Sequence, residues 1–458
     1  MSAVLTTQRI SSSTHPTDAA VPLGIVEKLL LAAGIFEVPL QFDKYFGFQE
    51  THANLGAVAG INVSVTTLSL IGLYAIWMLS SAIRKGVARQ PLILGIPMLV
   101  YIILMAISGF RATNSFLTLC DLAVVAQAYL LFFYLANRIK THEDVYFCVC
   151  VLGVTVAFQA FLIFGLAALG PSAHGKRFNI GPLLLSVWSD GRPAGSMHSA
   201  VLAGSTIGLM WLPLVGLAFS KVRKHLVWFA LATMLAGLLG ILLTQTRGAI
   251  ISSVLGCGAI AFCLKRRNWL PSIAIKIGLI GCLIGLVPLV HVIQKRVLQD
   301  DGGSAVARKH LSLIALDAIS DHPIIGYGSG NCHLACLPYA KTAQYRNEWY
   351  YTIHSKYLLT WVEMGVFGLI AFLMILANGI RHSMKAWFAR DKRVSVIGLA
   401  ITAGLLGHML HMVVDIFNSR TQVQMLWIVL GLAAAVYQRT RQSSDIDHET
   451  HVGELVYV

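Results

Sequence analysis

Four residues near the ends of apolar runs are the strongest candidates for chemistry in this sequence. His354 stands where a long polar stretch gives way to an apolar run, and Arg247 lies in a short turn between two apolar runs. Arg308 and Arg192 lie in polar segments. A neutral imidazole accepts a proton near neutral pH, and a guanidinium binds phosphate oxygens through a planar fork. These residue types are chemically able to bind an anion and to accept a proton.

Each residue also has a plainer structural explanation. A histidine at a helix end is commonly interfacial, and an arginine there commonly extends its side chain into the headgroup layer. For Arg192, in the turn Gly191-Arg192-Pro193-Ala194-Gly195, neither explanation is preferred. For Arg247, in the turn Leu243-Thr244-Gln245-Thr246-Arg247-Gly248, we favour anion binding, because a charge at this depth is costly unless it is paired or hydrated.

The elements that must position these residues are membrane helices. Over 458 residues the mean hydropathy is +0.70 and only 12% of residues are charged, against about 25% in soluble proteins. Spans of about 20 apolar residues number about twelve. Glu27, Lys28 and Glu37 interrupt the first, which predicts a tilted or partly protein-buried helix. The predicted spans lie near residues 21–39, 55–83, 91–108, 116–136, 145–169, 199–219, 226–243, 248–264, 271–293, 357–380, 394–414 and 422–437.

The net charge of +14 indicates membrane topology and not a nucleic-acid partner. Basic residues cluster at alternate turns, which is the positive-inside pattern, and this predicts cytoplasmic termini. It places the loop 294–356 on the far side, the periplasm of a Gram-negative cell. The clusters are Arg84/Lys85/Arg89, Arg138/Lys140, Lys221/Arg223/Lys224, Lys265/Arg266/Arg267, Arg381/Lys385/Arg390/Lys392/Arg393 and Arg439/Arg441.

The chain accordingly divides into five predicted parts. A cytoplasmic tail, 1–20, is polar, and we expect it to be disordered and not a cleavable signal peptide. Helices 1–9 occupy 21–293, the periplasmic loop 294–356, helices 10–12 occupy 357–437, and a second cytoplasmic tail 438–458. The predicted fold is therefore an all-α polytopic membrane protein with one long, partly helical loop between helices 9 and 10.

The loop carries a predicted helix and two cysteines. Ser304 is suited to cap a helix over 305–319, and Asp321-His322-Pro323 should end it because proline cannot continue a helix. A disulfide between Cys332 and Cys336 is one alternative, while their spacing disfavours a metal site. The other six cysteines lie in or beside spans and are expected to be small buried hydrophobic residues.

A second histidine cluster lies near the end of the chain. His408, His411 and Asp415 have the spacing i, i+3 and i+7, which would place them on one helical face. A zinc site of two histidines and one aspartate fits these residues. A polar stripe facing a water-filled cavity is the more frequent arrangement, so no metal is predicted.

Three stretches resemble the bacterial O-antigen ligases and the related O-antigen and exopolysaccharide polymerases. Thr244-Gln245-Thr246-Arg247-Gly248-Ala249 is similar to the family's Ser/Thr-rich turn that ends in Arg-Gly. Arg308, followed by Asp321-His322-Pro323-Ile324-Ile325-Gly326-Tyr327-Gly328-Ser329-Gly330, resembles the family's loop helix and glycine-rich stretch. His354-Ser355 with Gly365 and Gly368 resembles its histidine signature, and the glycines predict close helix contact. The Arg192 turn looks like its Arg-Pro-x-Gly element, although Met197-His198-Ser199 departs from the usual run.

The resemblance implies a GT-C-like inner-membrane glycosyltransferase. Such enzymes transfer a glycan from undecaprenyl pyrophosphate to an acceptor hydroxyl, with inversion and without a metal or other cofactor. His354 would then be the general base, and Arg247, Arg308 and Arg192 would bind the donor pyrophosphate. Arg177, His322 and Asp415 are expected to support the site.

The acceptor remains open between three possibilities. A ligase uses lipid A core, a polymerase uses a second lipid-linked repeat, and a protein-glycosylating relative uses Ser or Tyr. From another class, a lipid or solute transporter would also have about twelve spans, but no repeated halves are visible and the cations cluster at one face. A non-catalytic scaffold is disfavoured because the charges stand where they cost stability.

Overall fold

The computed structural model describes residues 21–83, 92–270, 304–340, 351–389, 391 and 393–455. Fourteen α-helices and four short strands lie within these ranges. The helices are α1 (Ile25–Glu37), α2 (Glu50–Asn54), α3 (Val65–Ile83), α4 (Ile96–Ser108), α5 (Ser115–Arg138), α6 (His142–Ala168), α7 (Ala200–Phe219), α8 (Lys224–Thr244), α9 (Arg247–Arg266), α10 (Ser304–Asp321), α11 (Cys332–Cys336), α12 (Lys356–Phe388), α13 (Ser395–His411) and α14 (Arg420–Leu455). The strands form two hairpins, β1 (Asp43–Phe46) with β2 (Ile61–Ser64) and β3 (Arg177–Ile180) with β4 (Leu183–Ser186).

Eight of the described helices are long and apolar enough to cross a membrane. This confirms a mostly helical, multi-pass membrane protein, while the count of twelve stays a prediction. Three predicted spans are shorter than a crossing helix, because α1 and α4 have 13 residues each and α13 has 17. The predicted span 271–293 lies outside the described residues. The span predicted from 55 begins at Val65, because the preceding residues turn into β2.

Polar residues set several helix starts. The side chains of Asn114, Thr141 and Ser199 accept hydrogen bonds from backbone N–H groups in the first turns of α5, α6 and α7. The interior of the bundle is built on α7 and the first part of α14, each with 89% of its apolar window buried. The window of α3 is only 22% buried, so this helix lies at the periphery.

The weak first helix is partly buried by protein, as expected, and its acids are paired. Glu37, at the end of α1, accepts a 2.9 Å bond from Arg420, which also pairs with Asp43 at 2.7 Å. Glu27, near its start, pairs with Arg138 at 2.6 Å. Because buried charges are costly unless paired, these contacts explain how α1 tolerates acids within an apolar run.

His354 and the Arg247 turn lie at one end of the bundle, here called the site end. Helix α5 runs away from this end towards Arg138, and α6 begins at the opposite end, where His142 contacts Asp391. The described basic clusters, at the ends of α5, α7, α9, α12 and the apolar part of α14, share that opposite end. The two ends therefore differ in charge as the sequence predicts, and which of them faces the cytoplasm stays a prediction.

The glycine-rich stretch after α10 docks into a break in α12. Gly365 has φ +71°, and a Cβ there would collide with the carbonyl of Ile324. Gly326 has φ +76°, and its Cβ would lie 2.6 Å from the carbonyl oxygen of Glu363. The prediction that Gly365 serves contact between two helices is wrong, because this glycine admits the backbone of the docked loop. The loop carbonyl of Pro323 accepts a 2.8 Å hydrogen bond from the Val366 N–H of α12.

Candidate active site

His354 lies in the short extended segment that leads into α12. Thr352 donates from its backbone N–H and its hydroxyl to the carbonyl of Leu55, at 3.1 and 2.9 Å. On the other side, the Lys356 N–H donates to the carbonyl of Met412 at 2.9 Å. The histidine is therefore held between the first polar loop and the turn after α13, on backbone that is fixed at both sides.

The surroundings of His354 favour its neutral form. Burial lowers the pKa of this imidazole first, and the positive charge of Arg308 lowers it further. Asp415 and a backbone hydrogen bond involving Thr352 oppose the shift but do not reverse it. Nδ1 of His354 is buried and has no hydrogen-bond partner within the described part of the chain. A half-buried, neutral imidazole with an unused nitrogen is suited to accept a proton.

Arg308 lies in the second turn of α10, a helix that the sequence predicts and the structure contains. The positive charge of Arg308 interacts electrostatically with both His354 and His411. Helix α10, the segment before α12 and the end of α13 therefore meet at one place, although they are distant in sequence. The docked glycine-rich stretch at the end of α10 fixes this helix against α12. The positive charge of Arg308 thus reaches His354, and the roles of the two residues in catalysis stay predictions.

Arg247 is the first residue of α9 and is exposed at the site end. The turn before it contains only Gln245 and Thr246, as the sequence predicts. Thr246 fixes the turn by donating from its hydroxyl to the carbonyl of Ala200 at 2.9 Å. The next residue, Gly248, packs against the ring of His411. Because its neighbour Gly248 contacts His411, Arg247 lies beside the group formed by Arg308, His354 and His411.

Asp415 is buried and accepts a 2.7 Å hydrogen bond from the side-chain amide of Gln422. Its charge acts on His354, His411 and Tyr351. The predicted helical stripe of His408, His411 and Asp415 is wrong in its last member, because α13 ends at His411. A turn closed by the bond from the Val414 N–H to the His411 carbonyl, 3.0 Å, returns Asp415 towards the site by a different route.

The remaining predicted residues have local partners. Arg192 is buried, pairs with Asp190 at 2.7 Å and stacks over the Trp188 ring at 5.1 Å. Arg177 is exposed on β3, and its positive charge interacts electrostatically with the imidazole of His198. His322 lies 3.2 Å from a nitrogen of Arg111. Their roles at the site stay predictions.

Two supports of the site have no motif in the sequence. The first loop reaches the site through Leu55 and through Gly56, whose carbonyl accepts from Asn418 at 2.7 Å; nearby, His52 and His333 share a 2.8 Å contact. The second support lies inside the bundle. Ser329 donates to Asp121, and the Cys332 N–H donates to Glu363 at 3.3 Å. An ionisable residue within an apolar run, such as Asp121 or Glu363, is the signal that could have indicated this cluster.

The two loop cysteines are free thiols in the structure. Their sulfur atoms lie 3.8 Å apart on α11, and both residues are buried. Among the described residues, no group of three or more His, Cys, Asp or Glu side chains is arranged to hold a metal ion. The residues grouped around His354 contribute imidazoles, guanidiniums and the carboxylate of Asp415.

Comparison with known proteins agrees with the predicted resemblance. A search of curated proteins finds no match. A family model described as O-Antigen ligase matches residues 232–373, the stretch that contains Arg247, Arg308 and His354. Residues 232–373 therefore carry an O-antigen ligase family domain, which indicates a membrane glycosyltransferase of the ligase or polymerase type.

Proposed function

We propose that this protein is an O-antigen ligase. It transfers a glycan from undecaprenyl pyrophosphate to a hydroxyl of lipid A core, on the periplasmic face of the inner membrane. The observation that carries the proposal is the meeting of Arg308, Asp415 and His354 at one end of the bundle. Arg308 and His354 lie inside the region that matches the ligase family.

The site residues divide the reaction between them. His354 accepts the proton of the acceptor hydroxyl as its oxygen attacks the anomeric carbon of the donor sugar. The bond from that carbon to the phosphate oxygen breaks, and attack from the opposite face inverts the configuration. Arg308 and Arg247 stabilise the negative charge that develops on the leaving pyrophosphate. No metal takes part in this mechanism.

The electrostatic arrangement supports these roles. Arg308 lowers the pKa of His354, so the base stays neutral when the pyrophosphate is absent. A bound pyrophosphate offsets the charge of Arg308, which raises the basicity of His354 when the donor is present. Asp415 stabilises the imidazolium that forms after proton transfer.

The test is transfer by purified protein in nanodiscs, supplied with a lipid-linked glycan and lipid A core. We expect capped lipid A core in the presence of the wild type and not of His354→Ala. If the protein instead extends the lipid-linked glycan and leaves lipid A core unmodified, it is a polymerase. Movement of the intact donor across the bilayer without glycan transfer would contradict both and indicate a transporter.

A deletion strain separates the two enzymes in cells. Loss of a ligase should leave full-length polymer on the lipid carrier, whereas loss of a polymerase should leave single repeats. Both outcomes are visible on a gel of the lipid-linked glycan.

A further inference from the structure

His411, the last residue of α13, lies against the first turn of α9. A Cβ added at Gly248 would lie 2.6 Å from Nε2 of this imidazole, so the ring packs directly on the backbone after Arg247. The residue that follows His411 accepts the 2.9 Å hydrogen bond from Lys356, two residues after His354. His411 is therefore placed between the Arg247 turn and the segment that carries His354.

One nitrogen of this side chain is left unsatisfied by the part of the chain that the structure describes. His411 is only 4% exposed, and its Nδ1 is buried without a hydrogen-bond partner among the described residues. Buried polar atoms in folded proteins are normally hydrogen-bonded, because leaving one unsatisfied costs roughly 1–3 kcal/mol. A hydrogen-bonding group of a bound ligand would satisfy this nitrogen.

The first turn of α9 is suited to an anion. The helix has 20 residues, and its first N–H groups point away from the helix body at the positive end of its dipole. The Thr246 side chain does not cap them, because its hydroxyl is bonded to Ala200. Arg247 stands at the first position of this turn, and the His411 ring covers Gly248 at the second.

We infer that His411 is a further ligand of the donor pyrophosphate, with its Nδ1–H donating to a phosphate oxygen held at the N-terminus of α9. This inference rests on the proposed function. It gives Gly248 a physical role, since any side chain there would displace the histidine ring. It also separates two histidines of one site, His354 acting on the acceptor hydroxyl and His411 on the donor phosphate.

Two substitutions separate ligand binding from packing. His411→Phe keeps an aromatic ring against Gly248 but removes the Nδ1 donor. His411→Asn loses the ring but places an amide near the position of Nδ1. His382→Phe, at the opposite end of the bundle where His382 stacks on Tyr437, is the matched control. The measurement is equilibrium binding of undecaprenyl pyrophosphate to the full chain in nanodiscs, with undecaprenol as the uncharged probe.

We expect His411→Phe to raise the Kd for undecaprenyl pyrophosphate about tenfold, the effect of one hydrogen bond to a charged group. His411→Asn should bind within about threefold of the wild type, and binding of undecaprenol should change in neither variant. Wild-type affinity in His411→Phe would overturn the inference. Weak binding by the Asn variant with normal binding by the Phe variant would also overturn it, because the ring would then act by packing. If the wild type does not bind undecaprenyl pyrophosphate, the proposed function itself fails, and that result is distinct from either.

Discussion

Both ends of the helix bundle contain buried or half-buried histidines, but the hydrogen bonding of these histidines differs between the ends. At the opposite end, His142 lies 2.8 Å from Asp391 through one ring nitrogen and 3.4 Å from Arg439 through the other. At the site end, His354 and His411 each keep a buried Nδ1 without a partner among the described residues. A histidine whose nitrogens are both hydrogen-bonded therefore holds helices together, whereas one with an unsatisfied nitrogen is available to a substrate.

The largest expected effect separates the two kinds of histidine. His354→Ala should lower glycan transfer by a factor of about 10² to 10⁴, the usual cost of losing a general base. Donor binding should persist, because the arginines remain. The measurement is turnover per folded protein with bound donor; near-normal turnover would leave His354 as an interfacial residue and remove the comparison.

The arginines should show the next largest effect. Arg308→Ala should lower turnover roughly 10²- to 10³-fold, as for loss of one group that stabilises transition-state charge. Arg308→Lys and Arg247→Lys should fall between the alanine variant and the wild type, since lysine keeps the charge but not the planar fork. Full activity in Arg247→Ala would show that this arginine serves only the membrane interface.

Substitution of His142, the paired histidine at the opposite end, should lower stability and leave turnover nearly unchanged. His142→Ala leaves Asp391 and Arg439 with one partner fewer in a buried site, so we expect a lower thermal midpoint. Turnover per folded molecule should stay within about twofold of the wild type, because buried pairs of this kind act on stability. A large loss of turnover at unchanged stability would break the distinction between the ends.

A smaller effect concerns pH. Protonated His354 cannot act as a base, so kcat/KM should fall on the acid side with a midpoint below about 6.5, the ordinary pKa of histidine. Asp415→Asn removes a charge that raises this pKa, so the acid limb should move to lower pH. Arg308→Gln removes a charge that lowers it, so the limb should move to higher pH. Shifts in the same direction for both variants would contradict the assignment.

The membrane topology decides which of the two ends of the bundle faces the cytoplasm, and it can be tested without measuring activity. Single cysteines in an otherwise cysteine-free chain, placed at Gly303 and Thr342, should react with an impermeant maleimide in intact cells, and one at Arg390 should not. These three positions lie outside the described residues, and their labelling follows from the charge pattern alone. Labelling at Arg390 would reverse the two ends of the bundle.

Sequence patterns are sufficient to predict features that depend only on residues close together in the chain. Hydropathy predicts the long helices because a crossing segment must be apolar along its length. The turn at Arg247 follows from the short polar stretch between two apolar runs. The end of α10 before Pro323 follows from the geometry of proline. Arg308 and His354 could be named because their motifs lie in continuous stretches.

Long-range contacts decided the rest. Sequence alone predicted the membrane class, the resemblance of residues 232–373 to the ligase family and the candidate site residues, because each prediction depends on neighbours in the chain. Only the tertiary structure placed Leu55 and Asn418 beside the His354 segment and returned Asp415 to it through a turn. It also assigned Gly365 to a docked loop and set His411 against Gly248. These contacts join residues that are far apart in sequence, and no local propensity specifies which of many apolar surfaces will pack together.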